Sequence, residues 1–508
     1  MNPIFRFTWL KYSYFSMLLL SMLAMTGCGG GSSTTDTQTV NSNENGTVLI
    51  AMTDAAGDFI RYSVEVLSIK MTHADGRVVE TLPISSRIDF AEYVNLTEFI
   101  TAATVPNGRY VKGSMVLDYT NADIWVEAAT GEALPVNSIV DESGNTLTTI
   151  EVSVNLDGQN VLPVAPGIPK HLTLDFDLKT SNTVTLNADS ASIVVAPKLI
   201  ASVDLNKSKQ HRLRGPLKSV DVTNNNFELF IRPFRHTLVK YKKHFGRLKI
   251  QSLDSTLYEI DGLAYQGTTG LSVMESLATL TGVIVRGSVK FNPLRFEAEQ
   301  VFAGSSVPGG TLDVVQGSVV SRTADVIQVH GARVTRADGT VIFNDAISVQ
   351  LAASTIVKRR ASMSDFTIAD ISIGSRVLIF GSVINEAATN FEFDASNGYA
   401  RIGFSNLTAN VVSSNIAIDQ TSSMVLNLRS INGRSTARYN FAGTGIDSNN
   451  DALVDSYEVD TASLNLANIV ERSNVALRGF VATFGSAPQD FNAQTVVTLP
   501  ENSVVITP

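Results

Sequence analysis

The sequence predicts an all-β protein: a sandwich followed by three small barrels. Three observations carry that expectation. Short runs rich in Val, Ile and Thr recur along the chain with few long amphipathic stretches, which favours strands over helices. Turn signals such as "ADG" (74–76), "PNG" (106–108) and "LDG" (156–158) separate the runs at regular intervals, as in a sandwich. A diverged internal repeat fills the second half, with glycines at Gly287, Gly381 and Gly479 separated by 94 and 98 residues. The 508 residues exceed what one core can organise, so several domains are expected. Hydrophobic content of 44% with 17% charge is that of folded protein, and a single cysteine excludes an intramolecular disulfide framework.

Residues 1–27 read as a secretory signal. Arg6 and Lys11 precede the apolar stretch "YFSMLLLSMLAM", and small residues follow. "MTGC" resembles the lipobox of bacterial lipoproteins, with Met25 in place of the more frequent leucine. The resemblance implies cleavage before Cys28, acylation of Cys28 and anchoring in a membrane, where two or three acyl chains hold stably. Gly29 follows the cysteine instead of the aspartate of inner-membrane retention, which points to the outer membrane and leaves open which face the body occupies. Residues 28–46, "CGGGSSTTDTQTVNSNENG", are small and polar and read as a lipidated flexible tether. No later run approaches the length of about 20 apolar residues that a membrane helix needs.

Strand patterns begin at Thr47 and continue through 47–204: "TVLIAMT", "YSVEVLSIKMT", "RYVKGSMVLDY", "TIEVSVNL", "HLTLDFDL". Within them "NLTEFITAA" (95–103) reads as a short helix. The pieces "TDAAGDF", "VEVLSIKM", "VPNGRY" and "LDFDLKTS" resemble an uncharacterised bacterial family found behind lipoprotein signals. That resemblance implies a transthyretin-like or immunoglobulin-like sandwich and no particular activity.

The repeat divides the rest into 205–306, 307–402 and 403–508. Each unit opens with a strand pair ("LRGPLKSVDV", "VVQGSVVSRT", "NLTANVVSSN"). Each then runs through a middle strand and a short connector to a glycine-bearing hairpin ("GVIVRGSV", "SRVLIFGSV", "SNVALRGFV"). This order suits a five-stranded barrel of the OB type, in which a strand glycine marks a sharp bend. Three further sandwiches are the alternative. The units also resemble an uncharacterised family of OB-like domains from bacterial secreted proteins.

Two charge clusters are candidate sites. Residues 207–249 hold twelve Lys or Arg against Asp221 and Glu228, in a chain of net charge −9. Arg232, Arg235, Lys240, Lys242, Lys243 and Arg247, interleaved with Phe230, Phe234, Tyr241 and Phe245, suit a polyanion-binding face. OB barrels use such faces for oligonucleotides and oligosaccharides. The partners available at a cell surface are polysaccharide, lipopolysaccharide and extracellular DNA; no specific protein partner is indicated. The alternative is a solvated linker. His211, His236 and His244 lie at spacings that match no compact metal pattern and read as surface histidines.

The second cluster is "DSNNDALVDSYE" (447–458), inserted in the third repeat. On a calcium-loop template Asp447, Asn449, Asp451, the Leu453 carbonyl, Asp455 and Glu458 take the ligand positions, and calcium favours about six to eight oxygens. Ala452 replaces the glycine of the sharp turn, at a cost of about 1 kcal/mol where positive φ is required. The alternative is an Asn/Asp-rich hairpin loop without an ion. No organic cofactor is indicated.

Catalytic signatures are missing: no G-x-S-x-G, H-E-x-x-H or P-loop occurs. Asp54, Asp58, Asp175 and Asp177 are the acids that could pair for acid–base work, yet they fall at strand ends and turns where aspartate is common. The sequence therefore reads as a non-catalytic envelope lipoprotein, a binding, adhesion or scaffold module for polyanionic or carbohydrate ligands with a calcium-stabilised loop. An envelope enzyme acting on polysaccharide, and a structural partner of an outer-membrane assembly, are the alternatives.

Overall fold

A computed structural model describes residues 44–499, apart from 55–58, 95, 129, 159–160, 204–209, 234–244, 291–294, 360–361, 388–389, 417–421, 465 and 467–468. Cys28, the signal, most of the tether, Asp58, Arg235, His236, Lys240, Lys242, Lys243 and His244 lie outside the described residues. Among the described residues no helix is long and apolar enough to cross a membrane.

The N-terminal module packs two sheets face to face. One runs Leu199–Ser202, Lys170–Phe176, Asn45–Thr53, Leu96–Pro106. The other is built on the long pair Phe59–His73 and Gly108–Glu127. Alternating residues of both faces meet in one core, where Tyr62 of the second sheet lies edge-on to Phe176 of the first at 6.0 Å.

Leu96–Pro106 is a strand, against the helix read from the sequence. It is hydrogen-bonded on both sides, antiparallel to Asn45–Thr53 and parallel to Gln210–Asp221. Its β-branched Thr97, Ile100, Thr101 and Val105 suit that buried strand, and tertiary pairing overrides the local pattern.

Each repeat closes a five-stranded ring. In the first, Gln210–Asp221 pairs Asn226–Phe230, which pairs Arg247–Ile260, then Arg295–Ala303 in parallel, then Gly282–Lys290, which returns to the start. The second ring (Asp313–Thr323, Val326–Thr335, Val341–Gln350, Arg376–Ala387, Asn390–Ile402) repeats this, including the parallel contact of third and fifth strands. So does the third (Ser405–Ile416, Ser422–Ile431, Tyr457–Ala462, Asn474–Val481, Phe491–Thr498). A helix, Gly267–Glu275, fills the connector of the first barrel only as far as the described residues go.

The repeat glycines have one physical cause. A Cβ on Gly287, Gly381 or Gly479 would come within 2.0, 2.1 and 2.1 Å of a carbonyl oxygen on the fifth strand (Glu297, Asp394, Asn492). The pairing register shifts at each of these places, so the close approach belongs to the bulge that bends the barrel.

The modules pack against one another. The sandwich sheet continues into the first barrel where Leu96–Glu98 pairs Gln210–Arg212. Trp125 of the sandwich meets Phe343 of the second barrel at 5.3 Å, and Phe480 of the third barrel packs into the core of the second.

Candidate functional site

The acidic loop is not assembled as the template expects. Asp447 Oδ1 accepts from the Asn449 N–H (2.9 Å) and the Asn450 amide (2.8 Å), closing a local turn. Asp451 Oδ1 accepts from the Gly445 N–H at 2.9 Å. Leu453 and Asp455 are exposed. Glu458 lies in the strand Tyr457–Ala462, where its N–H donates to Asp490 at 2.8 Å. Among the described residues no three His, Cys, Asp or Glu side chains gather closely enough to hold a metal. Ala452 has no positive φ, and its methyl is buried in the third core while its N–H donates to Thr444 Oγ1 (2.9 Å). The glycine of the template is therefore unnecessary here.

The described part of the basic stretch is divided among structural tasks. Arg232 is buried, with its N–H donating to the Arg214 carbonyl at 2.8 Å. Exposed Arg247 pairs with Glu228 at 3.3 Å, beside Lys218. His211 is also interior, against its reading as a surface histidine; it stacks on Phe99 at 5.8 Å, and burial lowers its pKa. The acids considered for catalysis are likewise engaged: Asp54 Oδ1 accepts from the Leu178 N–H (3.1 Å) and Asp177 caps the short helix Leu178–Ser181. Asp175 lies on the strand Lys170–Phe176 opposite Thr53.

What the modules do assemble is a cavity lined by arginine. Arg212 and Arg214 alternate along the first strand of the first barrel and both reach Glu98, which is fully buried; Arg214 Nε donates at 2.9 Å. Strand pairing sets this up, since Arg212 is the register partner of Glu98. Arg333 of the second barrel pairs with Glu92 of the sandwich, which also faces Arg212 at 3.6 Å. Arg401 of the second barrel forks onto Glu259 of the first, with Nε at 2.9 Å. Arg438 of the third barrel bridges Glu127 of the sandwich (3.5 Å) and Asp345 of the second (2.6 Å). These are charge-assisted pins between modules.

Beyond them the cations outnumber the acids. A cavity of about 350 Å³ is lined by seven arginines, with Glu92 as the one carboxylate among the described residues. Arg376 opens the fourth strand of the second barrel, and its side chain makes no hydrogen bond or ion pair among the described residues. Burial, followed by the neighbouring guanidiniums of Arg212, Arg434 and Arg478, lowers its pKa. Arg214, by contrast, is buried yet raised, because Glu98 holds its charge. Arg478 also forms no ion pair among the described residues and lies over Phe404 at 4.6 Å, while Arg286 lies over Phe302 at 5.7 Å. Arg286 and Arg478 are repeat-equivalent, each standing just before the strand glycine, where the second barrel has Phe380. That "RG" pair is the one local signal of this site. A second cavity of about 250 Å³, with Arg61, Arg434 and Arg438 in its lining, shares Glu92, Arg333 and Arg376 with the first.

Comparison with known proteins places the N-terminal module. Residues 45–197 match the family described as Domain of unknown function (DUF4382). This agrees with the uncharacterised family that the N-terminal sequence resembles. No curated protein matches the chain. Among solved structures, MbnP from Methylosinus trichosporium is similar over 29% of this chain and 82% of its own, at 11% identity and a TM-score of 0.15. A putative cell adhesion protein from Parabacteroides distasonis is similar over 71% of this chain and 98% of its own, at 10% identity and a TM-score of 0.14. Scores this low define no shared architecture.

Proposed function

We propose that the chain is a non-catalytic, lipid-anchored envelope protein that binds an anionic ligand in the cavity where its modules meet. The observation that carries this reading is Arg376, a partly buried guanidinium without a partner among the described residues, facing a cavity that already holds a surplus of positive charge. A guanidinium stays charged at physiological pH, and gathering several without counter-charge is costly, so an entering carboxylate, sulfate or phosphate would relieve repulsion as well as form bonds. Phe302, Phe404, Ile284 and Leu378 supply apolar wall between the cations. A mixed wall of that kind favours an acidic saccharide over a bare ion. In this reading Cys28 carries the anchor in the outer membrane, the basic residues of 235–243 concentrate polyanions near the body, and calcium rigidifies the 447–458 loop.

The test is titration calorimetry with a sulfated oligosaccharide at low ionic strength. Arg376→Gln is expected to weaken binding at least tenfold, while Arg247→Gln, at an exposed residue outside the cavity, changes it little. Equal binding by wild type and Arg376→Gln overturns the assignment.

A further inference from the structure

We infer, resting on the anion-binding reading above, that the ligand is a dianion of about disaccharide size with one acidic group in each of the two adjoining cavities. The two spaces share a wall that includes Glu92, Arg333 and Arg376, so they adjoin. The acids on that wall are already engaged. Glu92 pairs with Arg333 and faces Arg212, and in the smaller cavity Asp89 accepts from the Tyr62 N–H at 3.0 Å beside Arg61.

The cations left over are distributed between the two spaces. Arg478 belongs to the larger cavity and has no ion pair among the described residues, with Glu299 attracting it from farther away. Arg434 belongs to the smaller; its guanidinium donates to the Phe59 carbonyl at 3.0 Å and forms no ion pair among the described residues, with Glu127 attracting it from farther away. Arg376 lines both spaces; burial, and then the neighbouring charges of Arg212, Arg434 and Arg478, lower its pKa. A single anionic group neutralises one side and leaves the other uncompensated. Two groups joined by a short linker satisfy both, and the second binds at the high effective concentration that linkage provides. Phe302 and Phe404 line the larger cavity and Phe59, Phe343 and Tyr439 the smaller, so apolar wall is available to the linker on either side of Arg376.

The experiment compares two probes on the full-length protein in detergent, a disaccharide bearing two sulfates and its monosulfated counterpart, with inorganic sulfate as a third. The disulfated probe is expected to bind at least tenfold more tightly than the monosulfated one. Arg434→Gln should erase that advantage while leaving the monosulfated probe unchanged. Because Arg434 also holds a backbone carbonyl, a second variant guards the result: Ser430→Glu places a carboxylate in the smaller cavity beside Thr408, whose hydroxyl is 2.7 Å from that of Ser430. It too should reduce the disulfated probe to the level of the monosulfated one. Equal affinities for the two probes in wild type, or an advantage that survives both variants, overturns the dianion. Sulfate and monosulfated saccharide binding with no gain from the second group would leave the anion site standing and remove only this inference. No response to any of the three removes the anion site itself.

Discussion

The acidic loop at 447–458 and the arginine-lined junction are both concentrations of like charge, and they are built in opposite ways. The loop's acids are neighbours in sequence, and the fold disperses them: Asp447 and Asp451 turn to backbone N–H groups, while Glu458 is carried off along a strand. The junction's arginines are scattered from Arg61 to Arg478, and the packing of four modules gathers them. Charge density along the chain is thus a poor guide to charge density in space. A short polar segment can satisfy itself locally, whereas guanidiniums on separate barrels are brought together by contacts that their own neighbours in sequence do not specify.

The largest effect is expected where the junction's compensation is removed. Glu98→Gln leaves Arg212 and Arg214 buried beside one neutral amide, and breaking a buried pair in this way costs about 3–5 kcal/mol. Urea unfolding should show that loss in the midpoint, with the slope unchanged. A change within about 0.5 kcal/mol would mean that water, not Glu98, balances these cations.

This pair also shows what was legible in the sequence. The all-β class, the ring of strands in each repeat and the three bend glycines follow from local patterns, because turns, alternation and a bulge are short-range features. Arg212 and Arg214 read as part of a basic surface because their partner lies more than a hundred residues earlier, on a strand whose own sequence reads as a helix. The site needed three things that a single repeat does not carry: the pairing of Leu96–Glu98 with Gln210–Arg212, the closure of the rings, and the contacts between rings. Only the "RG" of the first and third hairpins marked it, and glycine's role in the bend hid the arginine beside it.

A smaller effect is expected at the edge of the loop. Asp490, buried beside Glu458, has its pKa pushed up to about 6, chiefly by burial, with the Glu458 charge adding to it and the Glu458 N–H opposing. A raised folded-state pKa means that the folded protein holds this proton more tightly than the unfolded chain. The associated stability is fully present below about pH 4 and is lost as pH rises through 6. Asp490→Asn, which keeps an acceptor and removes the charge, should exceed wild type by about 2 kcal/mol at pH 7.5 and match it near pH 4. His171, lowered to about 4 chiefly by burial, shifts stability the other way over the same range, but it is common to both proteins and cancels in their difference. A difference that does not change with pH would place the charge of Asp490 in contact with water.

The smallest effect expected is calcium's. To coordinate an ion, Asp447 must release the Asn449 N–H and the Asn450 amide, and Asp451 must release the Gly445 N–H, so every metal–oxygen bond gained is offset in part by a hydrogen bond lost. Four carboxylates in twelve residues still repel one another, and a cation drawn among them has that repulsion to relieve. At ten times its dissociation constant the ion would then add about 1 kcal/mol to the unfolding free energy. Magnesium should add less, because it demands a tighter octahedral shell and sheds water reluctantly. Asp447→Ala should abolish the calcium response while leaving stabilisation by a sulfated saccharide intact, since the two sites share no residue. Thermal unfolding with chelator, magnesium or millimolar calcium decides the matter. Superimposable curves would mean that the loop's own hydrogen bonds outcompete the ion, and that sequence spacing alone had mimicked a ligand set.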